Sequence, residues 1–126
     1  MISFWVPGIP RALSVGSSVR AGGRSFQVRR NTQWSTLVGL MGHRVKPTTP
    51  ITGPVSFSVT FYLPRPARST ERFPLKRPDV DNLAHKLSDQ FIGIFYVDDS
   101  QIVEWRAGKT FAEDGKPGAQ ITVEAL

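Results

Sequence analysis

Nine consecutive residues constrain this chain more than any other stretch. Val55, Phe57, Val59, Phe61 and Leu63 alternate with Ser56, Ser58, Thr60 and Tyr62. A period of two places the large apolar side chains on one face of an extended segment and the polar ones on the other. That apolar face must be covered, so the chain needs a sheet with other elements packed on it. Pro64 and Pro66 then stop the strand, since proline has no N–H to give to a ladder. Similar alternation marks a short strand at Ile2, Phe4 and Val6 and a final one at Ala119, Ile121, Val123 and Ala125. A further strand is expected from Gln101 to Phe111, with Val103, Trp105, Ala107 and Phe111 to one side. Ile94–Val97 is apolar throughout and reads as a short buried strand.

Two helices complete the pattern. Trp34, Leu37, Val38 and Met41 fall at i, i+3, i+4 and i+7, after Asn31 or Thr32 as a cap and before Gly42. This stripe assigns Trp34 to the core, and His43 near its end complements the helix dipole. The second helix begins near Asp81 or Asn82, repeats Leu83, Leu87 and Phe91 at four-residue spacing, and stops at Gly93. The expected fold is one α/β (mixed α+β) domain over residues 1–126. One mixed sheet of about five strands carries two main helices. The unit from Val55 to Val97 reads as strand, helix, strand, which allows a right-handed crossover. Residues 14–28, with Ala21-Gly22-Gly23 at their middle, form a basic hairpin or a mobile loop.

Charge divides the 126 residues unevenly. Residues 1–70 contain nine basic residues and no acid, while residues 71–126 contain seven basic residues and ten acids. A long acid-free basic stretch suits a polyanion, because each Lys or Arg near a phosphate releases condensed counterions. Solubility is the plainer use of the same surface. Zero cysteines exclude a disulfide scaffold and a thiolate metal site, and two histidines argue against a structural zinc cluster. The longest apolar run, from Phe91 to Val97, is too short to span a membrane. Ile2–Pro7 has no secretory pattern, so a cytoplasmic protein is expected.

Four of the ten acids form two close pairs, Asp79/Asp81 and Asp98/Asp99. On an extended segment, residues i and i+2 share a side, so Asp79 and Asp81 repel unless a cation sits between them. Magnesium takes hard oxygen ligands of this type. Asp81 is also a good helix cap, and Asp79 a good partner for Arg77. Asp98-Asp99-Ser100 suits a turn, and it suits an active site at a strand end too. If the second helix returns toward its start, both pairs join in one carboxylate set. A cation held there makes a water nucleophilic at neutral pH and screens phosphodiester charge. Carboxylates, magnesium and a basic surface together point to a nuclease. His85 follows Asp81 by one helical turn on the same face, with Lys86 about 100° further round. Either could stabilise phosphate charge or orient water, and both also suit a solvated helix face.

The run Arg77-Pro78-Asp79-Val80-Asp81-Asn82-Leu83, the helix end at Phe91-Ile92-Gly93, and Tyr96-Val97-Asp98-Asp99-Ser100-Gln101-Ile102-Val103-Glu104 resemble one known family. It is the RusA-type Holliday-junction resolvases, crossover junction endodeoxyribonucleases often encoded by phages and prophages. The family pattern is P-D-x-D-N-L, a helix, then D-D-S-Q-[IV]-V. The resemblance implies a Mg²⁺-dependent endonuclease, with Mn²⁺ as a possible substitute. It would act on branched DNA such as a four-way junction, as a homodimer with one active site per subunit and no small-molecule cofactor. Carried over by position, Asp79, Asp81 and Asp99 would bind metal. Asp98 matches a further family acid, and Asn82 would position a neighbouring carboxylate. Arg20, Arg24, Arg29, Arg30, Arg65, Arg68, Arg72, Lys76 and Arg77 would contact phosphates.

One position departs from the family. Its catalytic lysine falls four residues after the second motif aspartate, where this chain has His85, with Lys86 next. Either Lys86 reaches the site, or His85 substitutes, or the assisted step is weakened. A histidine would make the assistance pH-dependent near neutrality. This departure keeps open a basic protein that binds branched DNA without cutting it. A single-strand-binding module using Trp5, Phe26 or Trp105 is a third reading, opposed by their placement on apolar faces.

Overall fold

The computed structural model describes residues 1–12, 15–21, 24–29 and 33–126, with the backbone alone in 15–21 and 24–29. Its sheet contains β1 (Ile2–Pro7), β4 (Val55–Leu63), β5 (Ile102–Phe111) and β6 (Gly118–Ala125), in the order β1-β6-β4-β5. β2 (Val15–Ala21) and β3 (Arg24–Arg29) form a separate antiparallel ribbon. The helices are α1 (Gln33–Val45) and α2 (Val80–Gln90). The ribbon occupies the expected basic hairpin; its turn glycines Gly22 and Gly23, Arg30, and the capping candidates Asn31 and Thr32 lie outside the described residues.

β4 organises the sheet. It pairs antiparallel with β6 on one side and parallel with β5 on the other. Its residues alternate between buried and partly buried along all nine positions, as the period of two demands. Val55, Phe57, Val59 and Phe61 meet Val6 of β1, Ile121 and Val123 of β6, Val38 of α1 and Leu83 and Leu87 of α2 in one core. Trp34 is buried with them. Phe91, the C-cap of α2, sits at the centre of this packing. Its ring lies 5.8 Å from Phe4, 6.2 Å from Phe57 and 4.7 Å from Phe95, distances at which aromatic rings attract.

Two expectations are corrected. Ile94–Val97 is not a strand. Gly93, at φ +82, reverses the chain, and Phe95 N–H donates to the Phe91 carbonyl, closing a turn. Phe95 and Tyr96 are fully buried, so the apolar run reflects burial of a turn; periodicity cannot separate that from a strand. The second strand of the crossover is therefore β5. The other correction concerns β5 itself. Val103 and Trp105 are 63% and 46% exposed, because β5 is an edge strand. Trp105 covers Phe57 from the rim, with ring centroids 4.8 Å apart.

Close backbone approach fixes one position. A Cβ on Gly118 would stand 2.3 Å from Trp5 Cζ2 and 2.5 Å from the Val6 carbonyl oxygen. Gly118→Ala is expected to destabilise the protein by about 1–3 kcal/mol, the scale of overpacking. Gly53→Ala, which meets nothing within 4 Å, should change stability by less than about 0.5 kcal/mol. Urea denaturation of both variants checks this, and equal midpoints would contradict it.

Candidate functional site

Parallel neighbours need a connection that travels back along the sheet. Here α2 makes that return, and the turn before β5 then lies against the last turns of α2. Asp81, His85 and Asp89 follow each other at four-residue spacing, which puts them on one face of α2. Asp99, in the short 3-10 turn Asp99–Gln101, meets that face.

Among the described residues, His85, Asp89 and Asp99 place one ligand atom each within 4.8 Å of one another. His85 Nε2 is 3.7 Å from Asp89 Oδ2. Desolvation first, then the Asp89 carboxyl beside it and the charge of Asp98, hold Asp99 above the usual carboxylate range, while His85 pulls it down. Neighbouring carboxylates repel, and a cation between them relieves that repulsion. Two carboxylates and an imidazole are a donor set that fits a divalent cation.

Asp79 and Asp81 lie outside that group. Asp79 is the N-cap residue of α2, in extended conformation, and its side chain makes no capping hydrogen bond. Asp81 is already in the first helical turn. The same-side rule for an extended pair therefore does not apply to them. Asp81 precedes Asp89 by eight residues, about 12 Å along the helix axis. The turn carrying Asp99 thus returns to the later part of α2, beside His85 and Asp89. Arg77 makes no ion pair with Asp79 among the described residues. Instead, Lys109 of β5 holds the approach to Asp79: its Nζ donates to the carbonyls of Lys76 at 2.9 Å and Pro78 at 3.0 Å.

Asp98 is held differently from Asp99. Its carboxylate accepts from the Ser100 backbone N–H at 3.1 Å, and the side-chain and backbone hydrogen bonds of Ser100 hold it below the usual carboxylate range. Gln101 completes the capping box. Its Oε1 accepts from the N–H groups of Val97 and Asp98, both at 2.9 Å. Its Nε2 donates to the carbonyls of Ile51 and Gly53. Tyr96, whose hydroxyl burial keeps protonated, donates to the Ser88 carbonyl at 2.6 Å and ties the same turn to α2.

The basic candidates are spread more widely. Arg65 pairs with Glu113, donates to the Glu71 carbonyl and lies over the Phe111 ring. Arg72 lies over the Phe73 ring at 5.2 Å. Arg68, Lys76 and Arg77 line a groove of about 450 Å³ with Leu63, Leu75 and Phe111. Arg20, Arg24 and Arg29 belong to the ribbon.

Sequence reasoning did not single out Asp89, Gln101 or Lys109. Asp89 was visible as the third member of the Asp81/His85 stripe, and Gln101 as the third residue after Asp98 in a capping pattern. Nothing local marks Lys109, whose partners are 31 and 33 residues away.

A sequence model of a protein family described as Endodeoxyribonuclease RusA matches residues 7–124. The chain is also 34% identical over 96 residues to an uncharacterized Bacillus subtilis (strain 168) protein, YqaN; the match covers 67% of this chain and 68% of YqaN. No helix among the described residues is long and apolar enough to cross a membrane.

Gln101→Ala removes four hydrogen bonds that hold the Asp98-Asp99 turn. It is expected to cost about 0.5–2 kcal/mol, the scale of losing a capping side chain, measured by urea denaturation. An unchanged midpoint would show that the cap does not hold the turn.

Proposed function

The chain belongs to the RusA endodeoxyribonuclease family, and from that premise we propose that it resolves Holliday junctions by paired, divalent-cation-dependent phosphodiester hydrolysis. The observation that carries this reading is the meeting of Asp99 with Asp89 and His85 on the helix that opens with Asp79 and Asp81. An arginine- and lysine-rich segment leads directly into that helix. A homodimer supplies two such sites related by a two-fold axis, as symmetric nicks in opposing strands require. The bacterial cytoplasm is where such a substrate is found.

The residues divide the work. Arg68, Arg72, Lys76 and Arg77 bring phosphates to the N-terminal end of α2 through charge, without reading sequence. Arg20, Arg24, Arg29 and Arg30 add phosphate contacts of their own, and Arg65, bound to Glu113 and the Glu71 carbonyl, braces the loop. Asp99, Asp89 and His85 would hold the cation, with Asp81 at the N-terminal end of the same stripe and Asp79 at the N-cap before it. When bound, Mg²⁺ or Mn²⁺ supplies Lewis acidity at the phosphate and lowers the pKa of an attacking water. Gln101 and Asp98 keep Asp99 at its station, and Lys109 keeps Asp79 at its own. Lys86 is the next residue round the helix, about 100° from His85.

The test is cleavage of a mobile four-way junction beside a linear duplex of matching arms, in Mg²⁺ and in EDTA. Wild type should nick the junction in symmetric pairs, in the presence of the cation alone. Asp81→Asn and Asp99→Asn should each lower the rate at least about a hundredfold, the scale of losing one electrostatic stabiliser of a developing charge. Junction binding should persist in both. Tight junction binding with no nicks in Mg²⁺ or Mn²⁺ would replace the reading with that of a non-cleaving junction binder.

A further inference from the structure

We propose that His85 is a nitrogen ligand of the cation site, and that it tunes the site toward first-row transition cations such as Mn²⁺ and away from Mg²⁺. The inference rests on the divalent-cation reading above and adds the class of ion.

Geometry carries it. His85 Nε2 and Asp89 Oδ2 are 3.7 Å apart, beyond a good N–H···O hydrogen bond of about 2.7–3.2 Å. Two donors that each stand about 2.1 Å from one ion lie roughly 3–4 Å from each other. The His85–Asp89 spacing is that of two ligands of a shared ion. They occupy i and i+4 of one helix face, the spacing by which helical residues jointly hold a metal. Asp99 arrives from a different element, with its ligand atom within 4.8 Å of both. Tertiary structure therefore gathers the three side chains within reach of one ion. The His85 side chain is 65% exposed, so burial in the core does not explain its placement.

Donor chemistry then decides the ion. Mg²⁺ takes oxygen ligands and keeps its waters. An imidazole adds affinity for first-row transition ions, least for Mn²⁺ and more along the series, and the oxygen-seeking Mg²⁺ gains least from it. At this position a lysine ammonium would repel a cation, whereas a neutral imidazole offers a lone pair to it. His85 thus changes a charge donor into a ligand.

Electron paramagnetic resonance of Mn²⁺ added to the DNA-free protein tests this without reference to cleavage. Loss of the free-ion signal gives affinity, and Mg²⁺ competition gives preference. Electron spin echo modulation reports a directly bound ¹⁴N nucleus. Wild type should show ¹⁴N modulation and bind Mn²⁺ at least about tenfold more tightly than Mg²⁺, the scale at which a ligand change moves metal affinity. His85→Gln should lose the modulation and narrow the preference by a similar factor. Bound Mn²⁺ without ¹⁴N modulation in wild type, or a preference unchanged in His85→Gln, would overturn the assignment of His85 while leaving the nuclease reading to the cleavage assay. Failure of wild type to bind Mn²⁺ at all would overturn it too. The wild-type modulation needs no variant, so a folding defect cannot mask the answer.

Discussion

Parallel pairing of β4 with β5 governs where the chemistry lies. Two adjacent parallel strands cannot be joined by a tight turn, so the chain must cross back over the sheet before it enters β5. α2 is that return, and its apolar face, with Leu83, Leu87 and Phe91, seals the core under β4. Its other face is left with Asp81, His85 and Asp89. Because β5 starts beside the start of β4, the turn that precedes β5 must end near the last turns of α2. Asp99 therefore reaches Asp89 and His85 as a consequence of topology.

The site holds charges that would not assemble without a reason. Asp89 and Asp99 bring carboxylate oxygens within 4.8 Å of each other, while Asp98 adds a third acid next in sequence. The fold does not relax this crowding; it fixes it. Gln101 ties the turn to Ile51 and Gly53, and Tyr96 ties it to Ser88. Hydrogen bonds to backbone thus hold like charges together, which is the behaviour expected of a functional site. The basic segment 65–77 lies between the end of β4 and the start of α2.

Much of this was legible in the sequence, for identifiable reasons. β4 could be read residue by residue because an alternating face has one solution. Trp34 could be placed in the core because helical spacing put it with Leu37, Val38 and Met41. The two aspartate pairs stood out against an acid-free first half. The misreadings share one cause, the dependence on partners far along the chain. Ile94–Val97 is apolar because Phe95 and Tyr96 are buried in a turn. Trp105 lies on an apolar-looking stripe, yet β5 has no neighbour on one side to cover it. Asp89 passed unnoticed because a second acid, Asp99, reaches it only through the return of the chain, and Lys109 because its two carbonyl partners precede α2.

The central claim is that the turn bearing Asp99 and the stripe on α2 together make one cation site. Anomalous diffraction from crystals soaked in Mn²⁺ tests it most directly. A peak bounded by Asp99, Asp89 and His85 is expected. A peak bound by Asp79 and Asp81 with none at Asp99, or no peak at any of these side chains, would contradict it.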